Sequence, residues 1–270
     1  MAVRFFAMLA VLGSMLSATG AAADDPTPPP TLPLRVSAPH SLVALVTGFA
    51  KEYTGLNGIE ITVLERSSNA ASSELRAGNV DVALSDSETT DIAYHDTQIA
   101  AVPFAIVANT ATGVKALSTQ SIKALFEHRV TSWKDAGGAN IPVVTIERPR
   151  RSATELLLES AFTLDPTRRA DTIEDACGSV VAAVRSNPGG IGIVVLPFAG
   201  TLYGVSVITI GTAQPNAKTI AARAYPLFAF EHAVTFGAST QAASRFIAFI
   251  TTQTVAWREN GFIPIRDLRS

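Results

Sequence analysis

Four hydroxyl side chains, Ser41, Ser68, Ser152 and Thr154, stand just after predicted strands, where helices are expected to begin. A helix start carries unpaired backbone N–H groups and a partial positive charge. Several such starts turned toward one cleft would hold an anion with little formal charge. Hydroxyls add donors that rotate to suit the ligand. Taken singly, each residue is equally an ordinary N-cap, and Ser152 with Glu155 has the spacing of a capping box. Their shared position after strands is what favours the anion reading. Arg148 sits at a predicted strand end, where a guanidinium can grip two oxygens of one oxyanion. It is equally a surface arginine of the charged run Glu147-Arg148-Pro149-Arg150-Arg151. Asp86 is the odd member, because a carboxylate repels an anion. It fits a ligand that carries a proton to donate, such as hydrogen phosphate, and it penalises sulfate, which has none. The plainer alternative is a turn aspartate.

Other chemistries lack their residues. His40, His95, His128 and His232 show no metal-ligand spacing. No G-x-S-x-G, Walker loop or G-x-G-x-x-G is present. No nucleophile, base and oxyanion site come together, so the chain is read as a binding protein, not an enzyme. It needs no cofactor or metal in this reading. Cys177 is the single cysteine, so no internal disulfide or zinc cluster can form. It is expected to be a small buried residue, and Trp133 a packing residue.

The elements that would position these residues alternate. Strands are expected at Leu34–Ser37, Ile59–Leu64, Val80–Leu84, Val143–Ile146 and Ile191–Leu196. Ser41 is placed to cap a helix whose buried face is Leu42, Leu45, Val46, Phe49 and Tyr53. Ser68 is placed to cap a short helix ending near Gly78, Ser118 one carrying Ile122, Leu125 and Phe126, and Ser152 another. Strands alternating with helices argue for an α/β fold with a mostly parallel sheet, whose ligands bind beyond the strands' carboxyl ends. Pro103 interrupts the apolar run Ile99–Val107, and Pro226 the run Tyr225–Phe230. Each suggests a strand that leaves one region for another.

The chain has 270 residues, 47% of them hydrophobic and 16% charged, enough to bury one large core or two modest ones. A net charge of −2 gives no basic excess for nucleic acid. Arg4, the apolar run Phe5–Leu16 and the small residues through Ala21-Ala22-Ala23 form a secretory leader over residues 1–23. A Pro-rich spacer, residues 24–33, follows. No later stretch is long and apolar enough to span a bilayer. The leader makes the periplasm the expected location, and the mature protein is expected to be a monomer.

The order of segments resembles the phosphate-binding proteins of phosphate ABC importers. The stretch Leu117–Gly138, LSTQSIKALFEHRVTSWKDAGG, is similar to that family's F-x-x-x-I-T-x-W-x-x-x-G-G signature. GNVDVALSD from Gly78, ERPRRSATE from Glu147, SNPGGIGIV from Ser186, RFIAFI from Arg245 and NGFIPI from Asn260 follow the family's order. The resemblance implies a type II periplasmic-binding-protein fold, two α/β lobes joined by a two-crossing hinge with the ligand between them. The crossings fall near Val102-Pro103 and Tyr225-Pro226. Lobe 1 is then residues 34–102 plus 226–270, and lobe 2 residues 103–225.

The resemblance also implies a binding set: Ser41 with the Leu42 N–H, Ser68, Asp86, Arg148, and Ser152, Ala153 and Thr154 in place of the family's S-G-T turn. The family's glycines are replaced by Ala38-Pro39-His40, by Asn69-Ala70-Ala71 after Ser68, and by Arg151 and Ala153. Glycines let backbone approach an anion closely. What the resemblance implies for function is capture of phosphate or a related oxyanion for an ABC permease. The alternative is a sensor or interaction protein on the same fold with an altered site.

Overall fold

The computed structural model describes residues 33–86, 88–199 and 202–269, the side chains of Ser68, Asn69, Ala71 and Phe198 excepted. The expected leader and all of the expected Pro-rich spacer except Pro33 lie outside the described residues. The strands are β1 (Leu34–Ala38), β2 (Ile61–Glu65), β3 (Val82–Ser85), β4 (Tyr94–Asn109), β5 (Ala116–Leu117), β6 (Val144–Glu147), β7 (Thr172–Ile173), β8 (Gly190–Val195), β9 (Val205–Val207), β10 (Thr209–Ile210), β11 (Phe228–Phe236) and β12 (Ile263–Pro264). The helices are α1 (His40–Asn57), α2 (Ser68–Arg76), α3 (Thr119–Phe126), α4 (Ala153–Phe162), α5 (Cys177–Ser186), α6 (Ala217–Ala221), α7 (Gln241–Thr252) and α8 (Thr254–Glu259). Among the described residues, no helix is long and apolar enough to cross a membrane.

A ten-stranded mixed sheet runs β2-β1-β3-β11-β4-β8-β6-β7, with β9 and β12 also on β4. It is not mostly parallel. β1–β2, β1–β3, β6–β7 and β6–β8 are parallel, whereas every pairing of β4 and β11 is antiparallel. The helix-linked strands behave as the alternation predicts. β11 enters from far along the chain and inserts between β3 and β4, pairing antiparallel with both.

β4 joins the two halves of this sheet. From Tyr94 to Pro103 it pairs with β11, and from Phe104 to Ala108 with β8. Pro103 stands at that change of partner, where its missing N–H costs least. From Ile99 to Ala108 β4 is buried on both faces, as its unbroken apolar run requires. The polar residues Tyr94 to Gln98 extend it N-terminally beyond the expected strand. The segment Tyr225–Leu227 lies against Phe104. Phe104 gives its N–H to the Leu227 carbonyl at 2.9 Å, and the buried Tyr225 hydroxyl donates to the Phe104 carbonyl at 2.8 Å.

Strand directions decide what faces what. β1, β2, β3 and β4 run one way, while β6, β7, β8 and β11 run the other. The carboxyl ends of β1–β3 and of β6–β7 therefore point at the Pro103–Phe104 junction from opposite sides.

The largest apolar cluster is continuous across that junction, from Val36, Leu42 and Phe246 through Ile99 and Phe104 to Ile122, Trp133 and Leu158. Trp133 is fully buried and its indole N–H donates to the Gly189 carbonyl at 2.8 Å. A Cβ on Gly189 would lie 1.8 Å from the Pro142 carbonyl oxygen, so only glycine fits there. Two of the family-like segments, WKDAGG and SNPGG, are thus locked together by packing. Cys177 opens α5 half-buried beside a second cluster around Val180, Val184 and Ile146, more exposed than its type predicts.

Candidate functional site

The β1–β3 edge carries the first group of expected site residues. Ser41 does not cap α1. Pro39 occupies the N-cap position, with φ −66° already suited to a helix entrance, and its carbonyl accepts the N–H groups of Leu42 at 2.8 Å and Val43 at 3.0 Å. Ser41 lies exposed in the first turn. The Leu42 N–H is therefore not a spare donor, and its side chain is fully buried core. His40 is exposed and pairs with Glu65 at 2.9 Å. Ser68 is the first residue of α2, with Ser67 as the N-cap in its place. Asp86 is exposed immediately after β3, where the sequence places it.

The β6 edge carries the second group. Ser152 caps α4, its Oγ accepting the Glu155 N–H at 3.2 Å. The reciprocal half of the capping box is missing. The Ser152 N–H goes to the Pro149 carbonyl at 2.8 Å, and the Glu155 carboxylate turns inward to Arg168. Ala153 is exposed at the first helical position, and Thr154 is buried beside it. With the Glu155 N–H taken by Ser152, the Ala153 and Thr154 N–H groups are the first-turn donors a helix cannot pair internally. Ala153 adopts no positive φ, so the methyl that replaces the family's glycine costs the backbone nothing.

Arg148 is not an exposed arginine. It is half-buried, Nη1 donates to the Glu174 carbonyl at 3.3 Å, and its Nε is buried without a partner. Arg150 is exposed and reaches back to the Arg168 carbonyl. Behind them lies an ion cluster that sequence reasoning missed. Arg168 is buried and bonds Glu147 at 3.0 Å, Glu159 at 3.0 Å and Glu155. Three carboxylates on one guanidinium are over-charged for a buried place. Burial first, and then the neighbouring Glu147, push the Glu155 carboxyl up to about 8. These residues with Arg148, Arg150 and Arg169 line a cavity of about 230 Å³.

A second buried acid was also missed. Glu231, on β11, is buried, and its Oε2 has no hydrogen-bond partner. Burial first, and then the Asp86 carboxylate, push it up to about 8. The fold thus gathers Ser41, Ser68 and Asp86 on one strand edge and Arg148, Ser152, Ala153 and Thr154 on the opposing one. The signal that could have found Glu231 is a single acid inside the apolar run Tyr225–Phe236.

The chain matches the PBP superfamily domain over residues 21–254. It is 28% identical to the phosphate-binding protein PstS of Bacillus subtilis over 207 residues, covering 75% of this chain and 68% of that one. Its fold matches the ABC-type phosphate transport receptor of Vibrio cholerae (TM-score 0.69, 21% identity, 85% of this chain and 98% of that one). It also matches PstS from Borrelia burgdorferi (TM-score 0.68, 16% identity, 86% and 98%). The superfamily match takes in all of the sheet except β12, both strand edges and every expected site residue, and by it the chain belongs to the PBP superfamily.

Proposed function

We propose that this protein is an exported receptor that captures phosphate between two lobes, residues 34–102 plus 226–270 and residues 103–225, and passes it to an ABC permease. The observation that carries the reading is the opposition of the two strand edges, each ending on a helix start. From one edge come Ser41, Ser68 and Asp86. From the other come Arg148, the Ser152 hydroxyl and the Ala153 and Thr154 N–H groups. Donors from both sides surround the ligand, and Asp86 accepts its proton. Leu42 contributes its N–H only by exchanging the Pro39 bond for one to the ligand. The phosphate-binding relative from Bacillus subtilis supports the ligand class. The interlocked crossings at Phe104 and Tyr225–Leu227 support a hinge between the lobes.

Calorimetric titration of the mature protein, stripped of ligand, with phosphate and then sulfate tests this. Phosphate is expected to bind and sulfate not to. Arg148→Ala is expected to weaken phosphate by about tenfold or more, the range of a hydrogen bond to a charged group. An Arg148→Ala protein that binds like the parent removes the site assignment.

A sensor with an altered site is the second reading. The Arg148 guanidinium already donates to the Glu174 carbonyl, and the Leu42 N–H to Pro39. This reading expects a cooperatively folded protein that heats of mixing show to ignore phosphate and sulfate alike.

A further inference from the structure

Of the three buried glutamates among the described residues, Glu147 and Glu155 share Arg168. Glu231 is the third, and no ion pair among the described residues includes it. Its backbone pairs with Ala100 of β4, and a β-bulge separates it from His232. Bulges re-aim a side chain and gather near binding sites. The last rung of β3 on β11 joins Ser85 to His232. The next antiparallel position sets Asp86 beside Glu231. Directly opposed residues in such a ladder have Cβ atoms about 5 Å apart. Asp86 is exposed and Glu231 is buried, so the pair runs from solvent into the protein at the carboxyl edge of β3.

The strand pairing fixes how far along the sheet the opposing edge stands. Glu231 is level with Ala100 of β4. Ile146 pairs with Gly192, which pairs with Val107, so Arg148, two residues on, is level with Ala105. Five residues of strand span about 17 Å. Across the sheet, β4 and β8 also lie between the two positions.

Among the described residues, the surrounding charges leave Glu231 without a paired cation. On β11 and β4, His232 and Asp96 are paired with each other at 2.5 Å. His95 also lies on β4, and Asp86 follows β3. On α2, Arg76 is taken by Asp91 at 3.2 Å and by Tyr94, while Glu74 is exposed. A buried carboxyl with no cation is cheaper neutral than ionised. In that form it has one O–H to donate, as neutral carboxyls do in other oxyanion sites.

We infer that Glu231 is a second carboxyl of the ligand site, donating its proton as a hydrogen bond to the bound oxyanion while Asp86 accepts the ligand's own proton. The inference rests on the phosphate reading. It deepens that reading by assigning specificity to a pair of carboxyls, one giving and one taking a proton. Only an oxyanion with both a bare and a protonated oxygen satisfies both. Glu231→Gln keeps an N–H donor and cannot ionise, whereas Glu231→Leu removes the donor.

The test titrates the mature parent, E231Q and E231L with inorganic phosphate near pH 7 and near pH 9, with thermal melts alongside. The parent is expected to lose about tenfold in affinity near pH 9, one unit above the value at which Glu231 ionises. E231Q should lose clearly less over that interval, and E231L should bind at least tenfold more weakly near pH 7. A folded E231L that binds like the parent overturns the inference and leaves the phosphate reading standing. Should E231L not fold, E231Q decides alone, and a full parental decline in E231Q overturns it. A parent that binds phosphate at neither pH overturns the phosphate reading and this inference with it.

Discussion

Glu155 gives its backbone N–H to the Ser152 hydroxyl at 3.2 Å and its carboxylate to Arg168, so one residue ties the start of α4 to the buried ion cluster behind it. Glu147, on the same cluster, directly precedes Arg148. The two residues flanking the Arg148–Thr154 turn are thereby fixed to one guanidinium. The turn is held from inside the protein, and its outward face keeps its donors.

That arrangement makes stability depend on pH in a defined direction. The Glu155 and Glu231 carboxyls are both raised to about 8 by burial and by a neighbouring carboxylate. The folded protein then binds more protons than the unfolded chain between the ordinary glutamate value and about 8. Stability is therefore fully present below the ordinary value and is lost as pH rises through that window. Urea denaturation near pH 5 and near pH 8.5 should show the lower midpoint at the higher pH. E155Q and E231Q should each reduce the difference, and an unchanged difference in both variants would contradict the assignment.

Removing the shared cation is a harsher change. Arg168→Ala strands Glu147, Glu155 and Glu159 together, two of them buried. Breaking a buried pair by deleting one partner costs about 3–5 kcal/mol. Denaturant unfolding should report that loss, and the residual stability should improve at acid pH, where the orphaned carboxyls take protons. A loss below about 1 kcal/mol, the range of surface pairs, would mean the cluster is solvated.

Gly189 supports the fold by absence of a side chain. Its Cβ would collide with the Pro142 carbonyl oxygen and lie 3.5 Å from the Trp133 ring. Gly189→Ala is expected to cost about 3 kcal/mol, the upper end for an overpacked core. It should also disturb the Trp133 indole bond to the Gly189 carbonyl. Thermal melting gives the first quantity and the Trp133 indole N–H resonance the second. A wild-type melting temperature in the variant would refute the close approach.

Local signals in the sequence foretold local features. Ser118 caps α3 by accepting the Ser121 N–H at 3.0 Å, Pro103 marks the partner change of β4, and Trp133 is core. Each of these depends on neighbours within a few residues or on burial of a large side chain. The helix starts at Ser41 and Ser68 were displaced by one or two residues. Pro39 can serve as N-cap through its carbonyl alone, and Ser67 competes with Ser68 for the same position. The second acid of the proposed site was not legible. Glu231 meets Asp86 only through the β3–β11 pairing of distant segments, and nothing in either local sequence encodes that register. Arg168 was hidden for the same reason, because its three acids lie on β6 and α4, upstream of it.

Tyr225 offers a direct test of the proposed hinge. Its hydroxyl is buried and donates to the Phe104 carbonyl at 2.8 Å, and the adjoining Phe104 N–H donates to Leu227. Burial raises the phenol well above its ordinary value, so it stays a donor at any working pH. Tyr225→Phe removes one bond and leaves a buried carbonyl half-satisfied, a cost of about 1–2 kcal/mol. If the crossings at Phe104 and Tyr225–Leu227 bend as the lobes close on ligand, the loss of this bond should change the closing equilibrium as well as stability. Small-angle scattering with and without phosphate reads the first, and denaturation reads the second. A radius of gyration that shrinks with phosphate in the parent, and by a different amount in Y225F, places the bending at these crossings. A variant that loses stability but closes like the parent assigns Tyr225 to packing alone and moves the hinge elsewhere.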